Sequence, residues 1–255
     1  KLSAENNNET LLLDDKNTLG GTTIYQNNDC FQIDGTNTNY WLEKEIKNIK
    51  SIKNLSIKTR TSIAAYHGYN YLLARENITD HLNPNDRQGK IRQRLWKIRA
   101  KKVIIATGSI ERPLIFNNND RPGIMLSSAI KKFIDFYGVK TGKEISLFTN
   151  NDSTYETAIS LKKSGVNIIS IIDIRDKSSS KIVKEVEKHN IKIYWNHTIV
   201  NTEGYRRISS IELMKLSDNG SDVIGKKIKL KTDCLGISGG WTPMVHLFTQ
   251  SGGKL

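Results

Sequence analysis

The sequence predicts an α/β fold in which one plan is used twice. Three observations lead there. Between Glu144 and Trp195, short apolar strands alternate with helical segments, the pattern of a parallel sheet with crossover helices. Two groups of three consecutive strands, within Ser56–Arg99 and Ile199–Leu230, read as antiparallel meanders. Each group is followed by an apolar run that closes on glycine, first Lys102–Gly108, then Cys234–Ser238 with Gly239-Gly240.

Taken in order, Lys1–Glu5 reads as the end of a helix already in progress. Thr10–Asp15 is a short apolar run ending in acids, expected as a buried parallel strand. Tyr40–Ile52 carries Trp41, Leu42, Ile46, Ile49 and Ile52 at helical spacing. Ser56–Tyr66, Tyr69–Ile78 and Ile91–Arg99 follow as strands, with a loop at Asn83-Pro84-Asn85-Asp86. Lys102–Gly108 is expected as a buried strand, and Arg112-Pro113 to Arg121-Pro122-Gly123 as a linker. Ser127–Tyr137 is a helix closed by Gly138. Strands at Glu144–Phe148, Val166–Asp173 and Ile191–Trp195 then alternate with helices at Ser153–Lys163 and Ser178–His189. The second meander is Ile199–Glu203, Ile208–Leu216 and Val223–Leu230. Cys234–Ser238 is a buried return strand, and Gly239–Pro243 opens a turn and a short helix. The boundaries that follow are residues 1–126 for a first fold, 127–238 for a second, and 239–255 for a segment returning toward the first. The chain closes on Ser251-Gly252-Gly253-Lys254-Leu255 without a further element, so it reads as a stretch cut at both ends.

Composition narrows the function. The 255 residues include 39 Lys+Arg and 26 Asp+Glu, a net charge of +13. The basic residues mostly alternate with acids or apolar residues, so the charge reads as solvated faces rather than a nucleic-acid surface. No apolar run approaches the ~18 residues of a membrane span. Two cysteines exclude a disulfide scaffold and a four-cysteine zinc site. Cys30 and Cys234 form no Cys-x-x-Cys pair, and both are expected to be ordinary buried residues. The five histidines form no metal-ligand set, and His246 alone merits a test. No catalytic triad is visible, and no catalytic residue is assigned.

What remains is a pair of cofactor sites. Asp15 follows an apolar strand and precedes Gly20-Gly21 by five residues, where an acid can accept from both hydroxyls of an adenosine ribose. Thr107 and Gly108, after Ala106, let the backbone come close to a pyrophosphate or ribose. The glycine-rich loop that would cradle the pyrophosphate is not present, and its place precedes Lys1. At the matching point of the second half, glycines would be needed near 149, 151 and 154, where the chain has Thr149, Asn151 and Thr154. Asp152 adds a negative charge at the helix N-terminus, where a phosphate would rest. Asp152 or Ser153 is expected to cap that helix, with Ser153 and Glu156 as a capping box. The second fold is therefore expected to bind no dinucleotide, with Asp173 a vestige of a ribose acid.

This repeated plan resembles the two-dinucleotide-fold flavoproteins, an FAD/NAD(P)-binding, Rossmann-like architecture with meander insertions. The redox cysteines of its disulfide reductases are absent, since Gly21 is followed by Thr22-Thr23-Ile24-Tyr25. Longer strings sharpen the likeness: Asn118-Asn119-Asp120-Arg121-Pro122-Gly123, Gly239-Gly240-Trp241-Thr242-Pro243, and Gln250-Ser251-Gly252-Gly253-Lys254-Leu255. With these, nearly the whole chain resembles the central region of the alpha subunits of heterotetrameric sarcosine oxidases.

That resemblance implies a cytoplasmic complex with beta, gamma and delta subunits. It oxidises sarcosine to glycine, with formaldehyde or methylene-tetrahydrofolate and hydrogen peroxide as the other products. It implies NAD in this subunit, FAD and FMN elsewhere in the complex, and tetrahydrofolate on a C-terminal domain outside this chain. Carried over residue by residue, Asp15 matches the ribose acid, Gly20 and Gly21 the paired glycines, and Thr107-Gly108 the second approach to the dinucleotide. The rival reading is a subunit of another FAD-dependent amine or opine dehydrogenase. A non-catalytic basic module would instead bind nucleic acid in a salt-sensitive way.

Overall fold

A computed structural model describes residues 1–25 and 32–255. The chain divides into two compact units, residues 1–108 with 243–255, and residues 109–242. Cys30 lies outside the described residues.

The first unit opens with a single helical turn, α1 (Leu2–Glu5), and strand β1 (Thr10–Leu13). Gly21–Tyr25 forms a 3-10 turn, and β2 (Gln32–Ile33) and β3 (Thr36–Asn37) form a small hairpin. Helix α2 (Thr38–Lys50) starts where the Asn37 side chain accepts from the Asn39 and Tyr40 N–H groups, as an N-cap must. Strand β4 (Leu55–Lys58) then runs parallel to β1, with Leu12 opposite Ile57. The meander follows as β5 (Thr61–His67), β6 (Tyr71–Asn77) and β7 (Gln93–Arg99), all antiparallel.

Three expectations need correction here. The run Ser56–Tyr66 is two strands, because Arg60 turns into the left-handed region (φ 51°) and its N–H bonds Lys16 O, carrying the chain from one sheet to another. Thr10–Leu13 is a parallel strand but only half-buried. Among the described residues β4 alone pairs with it, so its other edge meets no strand. Lys102–Gly108 is not a buried strand. It forms no ladder bonds, and Ile104 is 86% exposed. An apolar run becomes a strand only where a neighbour satisfies its N–H and C=O groups, and none of the described strands does.

The second unit begins with β8 (Ser109–Glu111) and β9 (Ile124–Leu126), neither expected from the sequence. Three-residue strands inside a proline-punctuated stretch carry too little periodicity to be read. Helix α3 (Ser127–Asp135) has no side-chain cap of its own; instead the buried Glu111 carboxylate accepts from Ser128 N at 2.7 Å. Gly138 closes the helix in the left-handed region, its N–H on Ile134 O and that of Val139 on Phe133 O.

Then come β10 (Glu144–Thr149), α4 (Ser153–Lys163), β11 (Asn167–Asp173), α5 (Lys181–Glu187) and β12 (Ile193–Trp195). The second meander is β13 (His197–Glu203), β14 (Ser210–Leu216) and β15 (Val223–Lys231), antiparallel throughout. Strand β16 (Cys234–Ser238) returns, β17 (Trp241–Pro243) pairs with β8, and α6 (His246–Gln250) belongs to the first unit.

The parallel sheet has the order β12-β11-β10-β16-β9. The strand order reverses between β10 and β16, the switch point of a doubly wound fold, where a crevice opens beyond the strand ends. Period-two alternation sends Ile145, Leu147 and Ile171 to the helical side, packed with Ile130, Tyr155, Ile159 and Val183. Phe148, Ile172, Leu235 and Ile237 face the other way, onto Ile199, Ile211 and Leu213 of the meander. Truncating one such fully buried Leu or Ile to Ala costs about 2–5 kcal/mol.

Candidate functional site

In the first unit, β1 delivers two adjacent acids with different fates. The backbone of Asp14 bridges to Lys58 O and Thr61 N, and its Oδ1 accepts from Lys16 N at 2.8 Å. Asp15 instead projects outward, its side chain 57% exposed and, among the described residues, paired only with Lys16 Nζ at 2.7 Å. An exposed pair of this kind contributes little to stability, so the Asp15 carboxylate is the acid available to a ligand. Gly20 takes φ 120°, and a Cβ there would lie 2.7 Å from Leu42 Cδ2; glycine lets the chain pass against α2. Gly21 (φ 55°) starts the 3-10 turn and faces open space.

Thr107 and Gly108 are held by the returning segment. Thr107 Oγ1 donates to Met244 O at 2.8 Å, and Met244 N donates to Gly108 O at 2.9 Å. Gly108 sits at φ 69° with nothing where a Cβ would be. Among the described residues no hydrogen bond joins Asp15 or Gly20-Gly21 to Thr107-Gly108. The Asp15 carboxylate is exposed beside Lys16, and Gly21 and Gly108 have open space where a Cβ would stand. A pyrophosphate cradle is not among these residues.

The second unit fills its own crevice. Asn151 Oδ1 accepts from Ser153 N, and Asn151 Nδ2 donates to Ser238 Oγ at 3.0 Å, lacing β10 to β16. Asn150 Nδ2 reaches Gly239 O, and Trp241 Nε1 donates to Ser153 Oγ at 3.1 Å. The expected capping box is absent: Asp152 stands at the N-cap of α4 without a side-chain capping bond. Asp152 Oδ1 instead lies at ion-pair distance from Arg175 Nη2, 2.8 Å.

Arg175 is the residue that sequence reasoning missed. The same guanidinium grips Asp173, with Nη2 to Oδ2 at 2.8 Å and Nε to Oδ1 at 3.0 Å, while Arg175 N also donates to Oδ1. Tyr155 Oη donates to Asp173 Oδ2 at 2.8 Å, and its ring stacks on Trp195. Burial, then the Asp173 charge, pushes the Tyr155 hydroxyl far above its ordinary range, so it remains a donor. The hydrogen bond to Asp173 likewise holds Arg175 firmly protonated. The available signal was an Arg two residues beyond a strand-ending acid, on the same side of the chain.

The strings that carried the resemblance have packing roles. Arg121 Nη1 bonds Gly204 O, Asn118 Nδ2 donates to Asn201 Oδ1 and Asn118 O accepts from Thr202 Oγ1, clamping the Asn118–Gly123 turn onto β13. A Cβ on Gly239 would strike Pro113 O at 2.9 Å. Cys234 is buried, and burial pushes its thiol pKa up. His246 is exposed at the start of α6. Among the described residues no group of His, Cys, Asp and Glu could hold a metal ion, and no helix is long and apolar enough to cross a membrane.

No family model matches the chain. Among curated proteins, the sarcosine oxidase subunit alpha of Corynebacterium sp. (strain U-96) is 33% identical over 247 residues, covering 96% of this chain and 25% of that protein. That of Rhizobium meliloti (strain 1021) is 29% identical over 250 residues, covering 96% and 23%. The chain is homologous to part of the sarcosine oxidase alpha subunit. It spans about a quarter of the length of these alpha subunits.

Solved structures give the fold. Thioredoxin reductase from T. acidophilum matches with TM-score 0.69 at 19% identity, over 99% of this chain and 76% of that one. L-proline dehydrogenase from P. horikoshii matches with TM-score 0.66 at 20% identity, over 96% and 40%. The architecture is the FAD/NAD(P)-binding, Rossmann-like fold with parallel sheets and antiparallel insertions.

Proposed function

We propose that this chain is the NAD-binding region of a sarcosine oxidase-type alpha subunit, with one NAD served by the first unit. The complex it serves is a cytoplasmic flavoenzyme with beta, gamma and delta subunits. It oxidises sarcosine to glycine, with hydrogen peroxide and formaldehyde or methylene-tetrahydrofolate as the other products. FAD and FMN belong to that complex, and tetrahydrofolate to its aminomethyl-accepting domain. The hydride chemistry of NAD, when bound, is available to the complex. The residues here bind and orient it: Asp15 accepts from the ribose hydroxyls, and Gly20, Gly21, Thr107 and Gly108 let the backbone approach. No residue of this chain is assigned to amine oxidation.

The observation that carries a single-site reading is the contrast between two strand-end acids. Asp15 is exposed and nearly free, whereas Asp173 is fully buried and saturated by Arg175 and Tyr155. Asp152 and Glu111 already place carboxylates beside the N-termini of α4 and α3, where a phosphate would otherwise be favoured. The second unit is then a scaffold.

The test is a count of nucleotide released from the purified assembly. One NAD per chain is expected, lost from Asp15→Ala and kept in Asn151→Ala. Losing a charged ribose acceptor should weaken binding by about 1–3 kcal/mol. No NAD, two NAD, or full retention in Asp15→Ala overturns the reading. An assembly that leaves sarcosine untouched but oxidises another secondary amine or an opine transfers the chain to that class of dehydrogenase.

A further inference from the structure

The outer face of the first meander departs from the rule that the solvent side of an antiparallel sheet is polar. β6 buries Leu72 and Ala74 on its inner side. Its alternate residues meet β7 in three directly opposed pairs, Arg75 with Leu95, Leu73 with Lys97, and Tyr71 with Arg99. Directly opposed residues share a face, so each pair sets a cation against an apolar or aromatic side chain. Arg75, Lys97 and Arg99 are exposed, and Leu95 is 61% exposed. β5 completes the face with Ser62, Ala65 and His67. No carboxylate stands among these residues.

Sheet geometry places the three cations close together. Diagonal neighbours such as Arg75 and Lys97 stand about 7–8 Å apart, and Lys97 and Arg99 are one pleat apart, about 7 Å. Among the described residues none of the three has an ion-pair partner. The acids that meet β7 are committed to other groups. Asp80 takes Arg92 at 2.9 Å and Gln93, while Glu76, on the inner face, takes Trp96 Nε1 at 2.7 Å and Arg94. Arg99 holds its guanidinium over the Tyr71 ring, 5.5 Å from the centroid, which orders the charge without neutralising it. The second meander shows the ordinary arrangement, with Lys227 and Lys229 paired to Glu212 and Glu203. At the β5 edge of the first meander, Gln250 Oε1 of α6 accepts from Tyr66 N at 2.8 Å. β7 is the other edge, and among the described residues no strand pairs beyond it.

We propose that the outer face of β5-β6-β7 docks a separate, acidic polypeptide. Its carboxylates pair with Arg75, Lys97 and Arg99, and its apolar side chains cover Leu73 and Leu95. Charge complementarity selects the partner, because carboxylates brought from outside relieve the mutual repulsion of the three cations. Arg and Tyr are the side-chain types that dominate interface energies, and an Arg99 already ordered over Tyr71 has less freedom to lose on binding. A nucleic acid fits this face less well. With Arg99 over its ring, Tyr71 offers no platform for successive bases, and a phosphate chain brings no apolar group to Leu95. The inference does not depend on the cofactor or on the amine oxidised.

The test uses the intact assembly purified with this chain. Carbodiimide joins lysines to carboxylates without a spacer, and mass spectrometry maps the links. A link from Lys97 to Asp or Glu of another polypeptide is expected. Leu95→Thr with Arg99→Thr keeps residues suited to a strand. It should weaken association about thirtyfold or more, read by mass photometry on dilution, with circular dichroism unchanged. Lys97→Glu should slow association and reduce its salt dependence. Lys226→Glu, which reverses an exposed charge on β15, should leave association unchanged and so separates this face from the net charge of +13. Absence of a Lys97 link, links confined to this chain or to isotopically distinguished copies of it, or binding of this face to single-stranded DNA or anionic vesicles with no protein partner each overturn the proposal. So does a double threonine variant that assembles with unchanged affinity, whatever the NAD count proves to be.

Discussion

Replacing Arg175 by Met should destabilise the 109–242 unit by about 2–4 kcal/mol. Methionine keeps the aliphatic stem but removes the guanidinium that binds Asp173 at 2.8 and 3.0 Å and Asp152 at 2.8 Å. Asp173 is fully buried, so among the described residues it would be left charged with only the Tyr155 hydroxyl and the Arg175 N–H as donors. Stranding a buried charge costs about 3–5 kcal/mol. The Arg175 side chain is 32% exposed, so water offsets part of that cost. For a unit of this size the loss corresponds to a melting temperature lower by roughly 10 °C. Urea unfolding followed by tryptophan fluorescence reads it, because Trp195 stacks on Tyr155 beside the pair. Adding Asp173→Asn to Arg175→Met should recover about half of the loss or more, since the stranded charge is then gone. A single-variant cost below about 0.5 kcal/mol, or a double variant whose cost is the plain sum, would refute the argument that this acid is structural.

Gly20→Ala should cost more than Gly21→Ala, because only the first brings a Cβ to 2.7 Å from Leu42, while both carry the penalty of positive φ, about 1–2 kcal/mol; paired urea midpoints rank them. Trp241→Phe should lose the bond to Ser153 and about 0.5–1.5 kcal/mol, with no change in NAD content. Hydrogen bonds from Gln93 and Arg92 hold the Asp80 carboxyl below the usual range. The stability this brings is present above about pH 4 and is lost as pH falls through the lower folded value. Asp80→Asn should therefore flatten that acid limb, seen in midpoints taken from pH 5 to pH 3. Cys234 should resist iodoacetamide at pH 8 in the folded protein and react once urea is added.

Long periodic elements were legible in the sequence. The β10-α4-β11-α5-β12 alternation and the second meander stand within a few residues of expectation, as do the last two strands of the first meander, because burial of a face imposes its period on the chain. Lys102–Gly108 misled because its composition matches a buried strand while pairing depends on a neighbour that composition does not reveal. Ile124–Leu126 was passed over for the opposite reason: three residues next to Pro122-Gly123 become a strand only because β16 lies alongside. The same limit governs the sites. Asp15 and the glycine-poor loop at Thr149–Thr154 could be read as local chemistry. The Asp173–Arg175 pairing lies within one short window, but the reach of the same arginine to Asp152 joins the start of α4 to the end of β11, a contact that no short window of sequence contains.

Strand β16 has a consequence for how the protein is made. It lies between β10 and β9 in the sheet, yet it leaves the ribosome about 85 residues after β10 and over 100 after β9. At typical rates of synthesis that gap is on the order of ten seconds. During it the apolar flanks of Ile145, Leu147 and Phe148 have a neighbour on one side only, β11. The nascent chain thus spends that interval with an unfinished seam at its centre, and chaperone occupancy should peak before residue 234 emerges and fall once Cys234–Ser238 slots into place.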